Sequence, residues 1–404
     1  TPATWESSPV SDFSSGVVNP ATLAPDDNAN TITIRNTHNV TINSPVTADQ
    51  VVVATGGTLT QTNNLTLANG AGDDLTVNGT WNWSSNYLNG PGVVKIGSGG
   101  LLNLTTSNYK YSTTDITNDG TIDFQDGIFR FEDFKTVINN GTFLLGATPS
   151  FQHGIAGAGV FTNNGTVTKG TAGNADLDLT TINNNGTFNF NAGTVTDNND
   201  AFNNFGSLIF NSGTLATNST FNYNAGSLVS GTGNFINGGT LNLNINLVFP
   251  ASIFFASTNT IAGAGNLTVN NDFTIQGSLT GGLLTINGNS NWVGGTLGRL
   301  FNVDAGRTLS LTTGSTKFFT VDITNNGTID WQDGIFRFED FKTVTNNGTL
   351  LLSGNTSFQH GIAGAGIFTN NGTVTKTSTG NTDLDVTTIN NNGTFNFNAG
   401  TVTD

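Results

Sequence analysis

Apolar and polar residues alternate along nearly all of this chain in runs of three or four, the signature of a β-strand with one face buried. Thr31-Ile-Thr-Ile34 and Val40-Thr-Ile42 open the pattern, and short strands separated by Gly- and Asn-rich turns are predicted to the end. No stretch carries a sustained 3.6-residue apolar period, so almost no helix is expected.

Gly-Thr or Gly-Ser steps set the length of the repeating unit. Gly120, Gly141, Gly165, Gly186, Gly206 and Gly226 lie 21, 24, 21, 20 and 20 residues apart. A second step follows seven residues on at Gly193 and Gly213, which predicts two strands per coil and allows a third. A longer period overlies this one. Residues 116–197 recur as residues 323–404, offset by 207 without insertion or deletion, with 68 of 82 positions identical. Together these periods predict an all-β fold: a single elongated parallel β-helix, or β-solenoid, of about 20–24 residues per coil.

Residues 1–30 break the pattern. They hold Pro2, Pro9, Pro20 and Pro25, and are expected to form an irregular cap over the first coil, with the solenoid running through 31–404. The sequence stops at Asp404, the counterpart of Asp197, where the first copy continues into another coil. Continued repeats, or end-to-end stacking with another subunit, are expected there. The chain has no Met, so Thr1 is expected to follow a removed secretion signal or an earlier segment.

The 14 differences between the copies report on environment. Phe124/Trp331, Phe143/Leu350, Val160/Ile367 and Leu179/Val386 exchange one apolar residue for another, as inward positions allow. Seven differences fall in 146–149 and 170–172, expected to be exposed loops. Asn-Asn-Gly-Thr recurs at 139–142, 163–166, 184–187, 325–328, 346–349, 370–373 and 391–394. Stacked coils would set these Asn side chains above one another as a hydrogen-bonded ladder; Asn also tolerates left-handed turns.

Composition then narrows the function. Only 10% of residues are charged and the formal net charge is −15, which disfavours nucleic acid and anionic membranes as partners. There is no Cys for a disulfide framework, and no apolar run reaches the ~20 residues of a membrane-spanning helix. The densest charge is Asp126, Arg130, Glu132, Asp133 and Lys135, repeated as Asp333, Arg337, Glu339, Asp340 and Lys342. It reads either as a solvated strand face with weak ion pairs or as a contact patch for extracellular glycans or cations. A polysaccharide lyase or hydrolase on this scaffold would need acids and bases in a groove, and 12 Lys and Arg are few for that. His153 and His360 have no companion ligands at metal spacing and are expected to bond turn backbone. Asp26-Asp27 and Asp73-Asp74 could at most hold Ca²⁺ weakly and are expected to be surface acids. No catalytic, cofactor or metal residues are assigned. Gly154, Gly157 and Gly159 have the wrong order for a dinucleotide loop; Ile-Ala-Gly-Ala-Gly at 155–159, 261–265 and 362–366 marks coil corners.

The glycine corner followed by Phe161-Thr-Asn-Asn-Gly165-Thr-Val resembles the repeats of bacterial β-solenoid adhesins, including autotransporter passengers and haemagglutinin-like proteins. Ile32-Thr-Ile34, His38-Asn-Val-Thr-Ile42 and Gly56-Gly-Thr-Leu59 are similar to openings of repetitive surface proteins secreted by Bacteroidota. The resemblance implies a right-handed parallel β-helix, extracellular or on the bacterial surface, forming a structural adhesin or filament segment and not an enzyme.

Overall fold

The computed structural model describes residues 5–7, 19–20, 24–68, 72–132, 134–154, 159–338, 341–361 and 366–403. None of these residues is helical. The fold is a parallel β-solenoid averaging about 21 residues per turn. Its contacts divide it into two units, Thr1–Thr214 and Leu215–Asp404.

In the first unit each full coil lays one strand on each of three faces. Thr136–Asn139, Thr142–Leu145 and Ser150–His153 form one such coil. The next supplies Val160–Asn163, Thr166–Lys169 and Asn174–Asp178, each parallel to its predecessor. Register does not slip, so inward residues form columns. On the second face Leu59, Trp81, Leu102, Ile122, Phe143, Val167, Phe188 and Leu208 lie one above another, all buried. Aromatic rings fill much of the interior. Trp81 stacks on Trp83 at 5.2 Å, and Phe190 on Phe210 at 4.7 Å.

The second unit begins the same way, with Thr220–Tyr223, Thr240–Leu243 and Thr260–Ala262 stacked in parallel. Its coils then shorten. Ladder contacts such as Asn287 Nδ2 to Asn270 Oδ1 span 17 residues, below the 20–24 expected from the glycine steps. The reason is local. Ser278–Ile286 and Gly295–Val303 run through a corner as single nine-residue strands, with a register shift between Gly281 and Leu284. Gly281 permits this at φ +103°, where a Cβ would lie 1.8 Å from the Gly263 carbonyl oxygen.

The internal differences fall in distinct environments. Phe124/Trp331 and Phe143/Leu350 are buried pairs, whereas Val160 and Ile367 sit at half-exposed outward positions, against expectation. Two differences prove linked, and one of them corrects the reading of 146–149 as exposed throughout, because Pro149 and its counterpart Thr356 are buried. Thr356 and Thr382 pair through their hydroxyls at 2.8 Å in a buried site, and their counterparts Pro149 and Ala175 need no such bond. One hydroxyl alone would be left unsatisfied there. The proposed cap lies largely outside the described residues; within them, Glu6–Ser7 pairs antiparallel with Asn19–Pro20, and Glu6 meets Arg35. The Ile-Ala-Gly-Ala-Gly corners at 155–158 and 362–365 also lie outside; that at 261–265 is a corner as expected.

The Asn-Gly corners explain themselves by closeness of coils, not by backbone handedness. None of Gly120, Gly141, Gly165, Gly186 or Gly206 has a positive φ, yet a Cβ on any of them would fall 2.0–2.3 Å from a glycine carbonyl oxygen of the previous coil. Gly165→Ala should therefore destabilise the fold by about 1–3 kcal/mol through overpacking. Gly170→Ala, whose Cβ would meet only Thr168 Cγ2 at 3.9 Å, should be near neutral. Urea denaturation followed by circular dichroism checks this; equal midpoints for the two variants would contradict it.

Candidate functional site

A group of cationic side chains in this protein is turned inward. Lys110, Lys169, Arg299, Lys317 and Lys376 are all buried, five of the twelve cationic residues. Two of them stand in line with buried core residues: Lys110 pairs with Phe129, and Lys169 sits between Leu145 and Phe190. The aliphatic stems pack in the core and the charged heads reach corner carbonyls. Lys110 Nζ donates to the carbonyls of Thr106, Asn108 and Asp126 at 2.8, 3.0 and 3.2 Å. Lys317 repeats this with Thr313 and Asp333. Lys169 binds the Thr171 carbonyl at 2.8 Å, and Lys376 the Gly354 carbonyl at 3.0 Å. The Arg299 guanidinium donates to Gly265 and Ala262 at 2.8 and 3.0 Å.

Burial disfavours these charges. It draws Lys110 down to about 8, against the opposing pull of Asp126, and Arg299 down to about 10. Lys169, Lys317 and Lys376 are lowered for the same reason. These ammonium groups hold turns together. The parity of the strands could have revealed them: Lys169 lies two residues after the core residue Val167.

In the first unit, the outward side of the third face carries a concentrated group of solvent-facing aromatics and charge. Strand register places Tyr87, Tyr111, Arg130, Gln152 and Asp178 in a single column. Tyr87 and Tyr111 stack with ring centroids 4.4 Å apart, and Tyr109 stacks on Tyr111 at 5.4 Å. The Arg130 guanidinium lies 6.0 Å from the Tyr111 ring centre and pairs with Glu132 at 2.7 Å. Partial burial, with Tyr87 and Tyr109 alongside, holds the Tyr111 phenol above its usual range, while Arg130 opposes this. The second unit shows a reduced version. Phe318, Arg337, Gln359 and Asp385 form the column, with the Arg337 guanidinium 5.5 Å from the Phe318 ring.

The predicted charge patch is therefore split. Arg130 and Glu132 belong to the column. Asp126 does not: its carboxylate accepts the Gly127 N–H and the Thr148 hydroxyl, which closes a turn. Asp333 closes the matching turn through Gly334. Lys135 points to the previous coil, 3.7 Å from Asp115. Lys342 lies just before the strand Thr343–Asn346 and its carbonyl accepts Ile367 N–H. Asp133, Glu339 and Asp340 lie outside the described residues. Sequence reasoning missed the tyrosines, although three of the chain's four stand within 25 positions.

The remaining candidates are structural. His153 Nδ1 lies 2.9 Å from the Gly154 carbonyl, and His360 Nδ1 3.0 Å from that of Gly361. Asp74 corrects the expectation of a surface acid: it is buried, accepts the Val93 N–H at 2.7 Å and shares a hydrogen bond with Asp49. Burial, then Asp74 itself, raises the Asp49 carboxyl above the usual range. Among the described residues no group of three or more His, Asp or Glu is arranged to hold a metal ion. A cavity of about 650 Å³ opens against the first coil, lined by Trp5, Pro25, Ile34, Ile42 and Leu65, with His38 its one titratable lining residue among those described.

The lysine anchors yield a pH prediction. The Lys110 ammonium is lost at about pH 8 in the folded chain and near the ordinary 10.5 in the unfolded chain. Between those values the unfolded state binds more protons, so stability should rise with pH across the window. Lys110→Met should flatten this rise. It should also cost about 1–3 kcal/mol at neutral pH, because three carbonyls lose their donor. Thermal melts at pH 7.5, 9 and 10 read both effects; an unchanged slope in the variant would be the contrary result. Compared with protein-family models, with curated proteins and with solved structures, the chain matches none.

Proposed function

We propose that this chain is a non-enzymatic structural segment of an extracellular bacterial surface protein, an adhesin or filament solenoid that acts as a stiff spacer and display surface. The observation that carries this reading is where the polar side chains go. Inner amides link coil to coil from Asn118 through Asn139, Asn163 and Asn184 to Asn204, at 2.6–2.7 Å. The second unit repeats the chain from Asn325 to Asn391. Buried cations tie the corners, and aromatic rings fill the interior. A scaffold that commits its amides and cations to its own stacking suits a load-bearing role outside the cell. Its natural partners on this reading are further copies or repeats of the same solenoid, joined by strand pairing. The recurrence of an 82-residue block at an offset of 207 supports growth by addition of like units.

Two measurements test the proposal together. Limited digestion with a broad-specificity protease should leave the solenoid core intact, while incubation with pectin or alginate and Ca²⁺ should release no unsaturated sugars. Release of such products would replace the structural reading with a polysaccharide lyase. Immunogold labelling of intact source cells should decorate the surface, and labelling confined to the cell interior would overturn the location.

A further inference from the structure

The chain chooses its aromatic residues with a clear division of labour. It has 29 Phe and only 4 Tyr. The core is packed with Phe; Tyr223, the one buried tyrosine, donates its hydroxyl to the Ser227 carbonyl at 3.0 Å. The other three, Tyr87, Tyr109 and Tyr111, gather on two adjacent coils and face outward. Tyr87 is 39% exposed and Tyr109 45% exposed. Nothing in core packing requires rings there, and outward positions on the other two faces of this unit are mostly Thr or Asn. Tyrosine combines an apolar ring with a hydroxyl at its tip, which suits contact with a ligand that is itself part apolar and part hydroxylated.

The surroundings extend that chemistry. Next in the column come the planar guanidinium of Arg130 and the carboxamide of Gln152, whose Nε2 donates to Ser150 Oγ at 2.9 Å. Glu132 forms an ion pair with Arg130 at 2.7 Å, without hydrogen-bond alignment at Nε, and is seated over Gly154, where a Cβ would strike its carboxylate at 1.7 Å. Arg130 is thus positioned, and its charge is balanced locally. A net charge of −15 works against a polyanionic ligand, and the balanced Arg130–Glu132 pair offers no positive field to overcome it. What remains is a flat strip of rings and planar hydrogen-bonding groups, spaced by the strand separation of ~4.8 Å. An extended chain of pyranose rings advances by about that distance per sugar, so successive sugars could meet successive coils.

We propose that Tyr87, Tyr109, Tyr111, Arg130 and Gln152, with Glu132 as the positioning residue, form a binding strip for a neutral polysaccharide lying along the stacking direction. This rests on the display-surface reading above and names what is displayed. The Phe318–Arg337–Gln359 column of the second unit is a weaker copy that lacks the phenol groups.

Affinity electrophoresis of the whole chain tests the strip, since its net negative charge drives it through a native gel. Gels would contain hydroxyethylcellulose, arabinoxylan, galactomannan or the polyanion polygalacturonate. Retardation by at least one neutral polymer, and none by polygalacturonate, is expected. The Tyr87→Ala/Tyr109→Ala/Tyr111→Ala variant should weaken the retardation at least tenfold. Arg130→Gln should weaken it less, and Leu228→Ala, an exposed apolar position in the other unit, should behave as wild type. Thermal melts of each variant confirm folding; should the triple variant unfold, Tyr111→Ala alone carries the comparison. Migration of the wild type unchanged by all three neutral polymers overturns the strip, as does equal retardation of the tyrosine variant. Either failure leaves the scaffold reading standing, because protease resistance and surface labelling decide that independently.

Discussion

Parallel stacking of each strand in register on its predecessor is the constraint from which the rest follows. Once a strand lies directly over its predecessor, each residue has a chemically defined neighbour at a fixed spacing above and below. Like is therefore set on like. Inward positions become continuous apolar columns such as Leu59 to Leu208, outward positions become rows of Thr and Asn, and corners become rows of Gly. A side chain that cannot tolerate its own kind as a neighbour is excluded from most positions. This accounts for the low charge content, because a column of like charges would repel along its whole length.

The amides show how completely this constraint is used. Each Asn-Asn-Gly-Thr corner supplies two asparagines, one facing in and one facing out. The inner series donates forward along the chain: Asn139 Nδ2 meets Asn163 Oδ1, and Asn163 Nδ2 meets Asn184 Oδ1. The outer series donates backward, from Asn185 to Asn164, from Asn164 to Asn140, and from Asn140 to Asp119. The two rows of dipoles oppose each other, so neither unit accumulates a large field from its own ladders. The first outer row ends on the Asp119 carboxylate, 3.6 Å from Lys95. In the second unit Asn326 stands at that place, accepting from Asn347.

The fold was legible in the sequence because strand alternation and coil spacing are both local signals, and stacking simply repeats them. The physical reason for the corner residues was less so. Left-handed geometry was one expected role for Asn, but none of the ladder asparagines has a positive φ; their place is explained by the ladder. The shortened coils near 278–303 were hidden because losing a corner leaves no mark in composition beyond Gly281-Gly282. The lysine anchors were missed because charged residues were assigned to solvent, although Lys110 alternates with Tyr109 and Tyr111 and so must face the other way. The candidate site was half visible. Arg130 and Glu132 stood out as charge, while the tyrosines beside them belong to earlier coils, and only the register brings them together.

Closely stacked Asn-Gly corners also bear on how the molecule ages. In a loose peptide, the glycine amide nitrogen attacks the preceding asparagine side-chain carbonyl, ammonia leaves, and water opens the resulting cyclic imide to an aspartate or its isomer. Here that nitrogen is already engaged: the Gly165 N–H points at the Asn139 carbonyl at 3.0 Å, and the Gly186 N–H at the Asn163 carbonyl at the same distance. The side chains that would be attacked, Asn164 and Asn185, are held by their neighbours in the outer row. Chemical decay at these dipeptides must wait for a coil to open, so the lifetime of the covalent chain is set by the mechanical integrity of the stack.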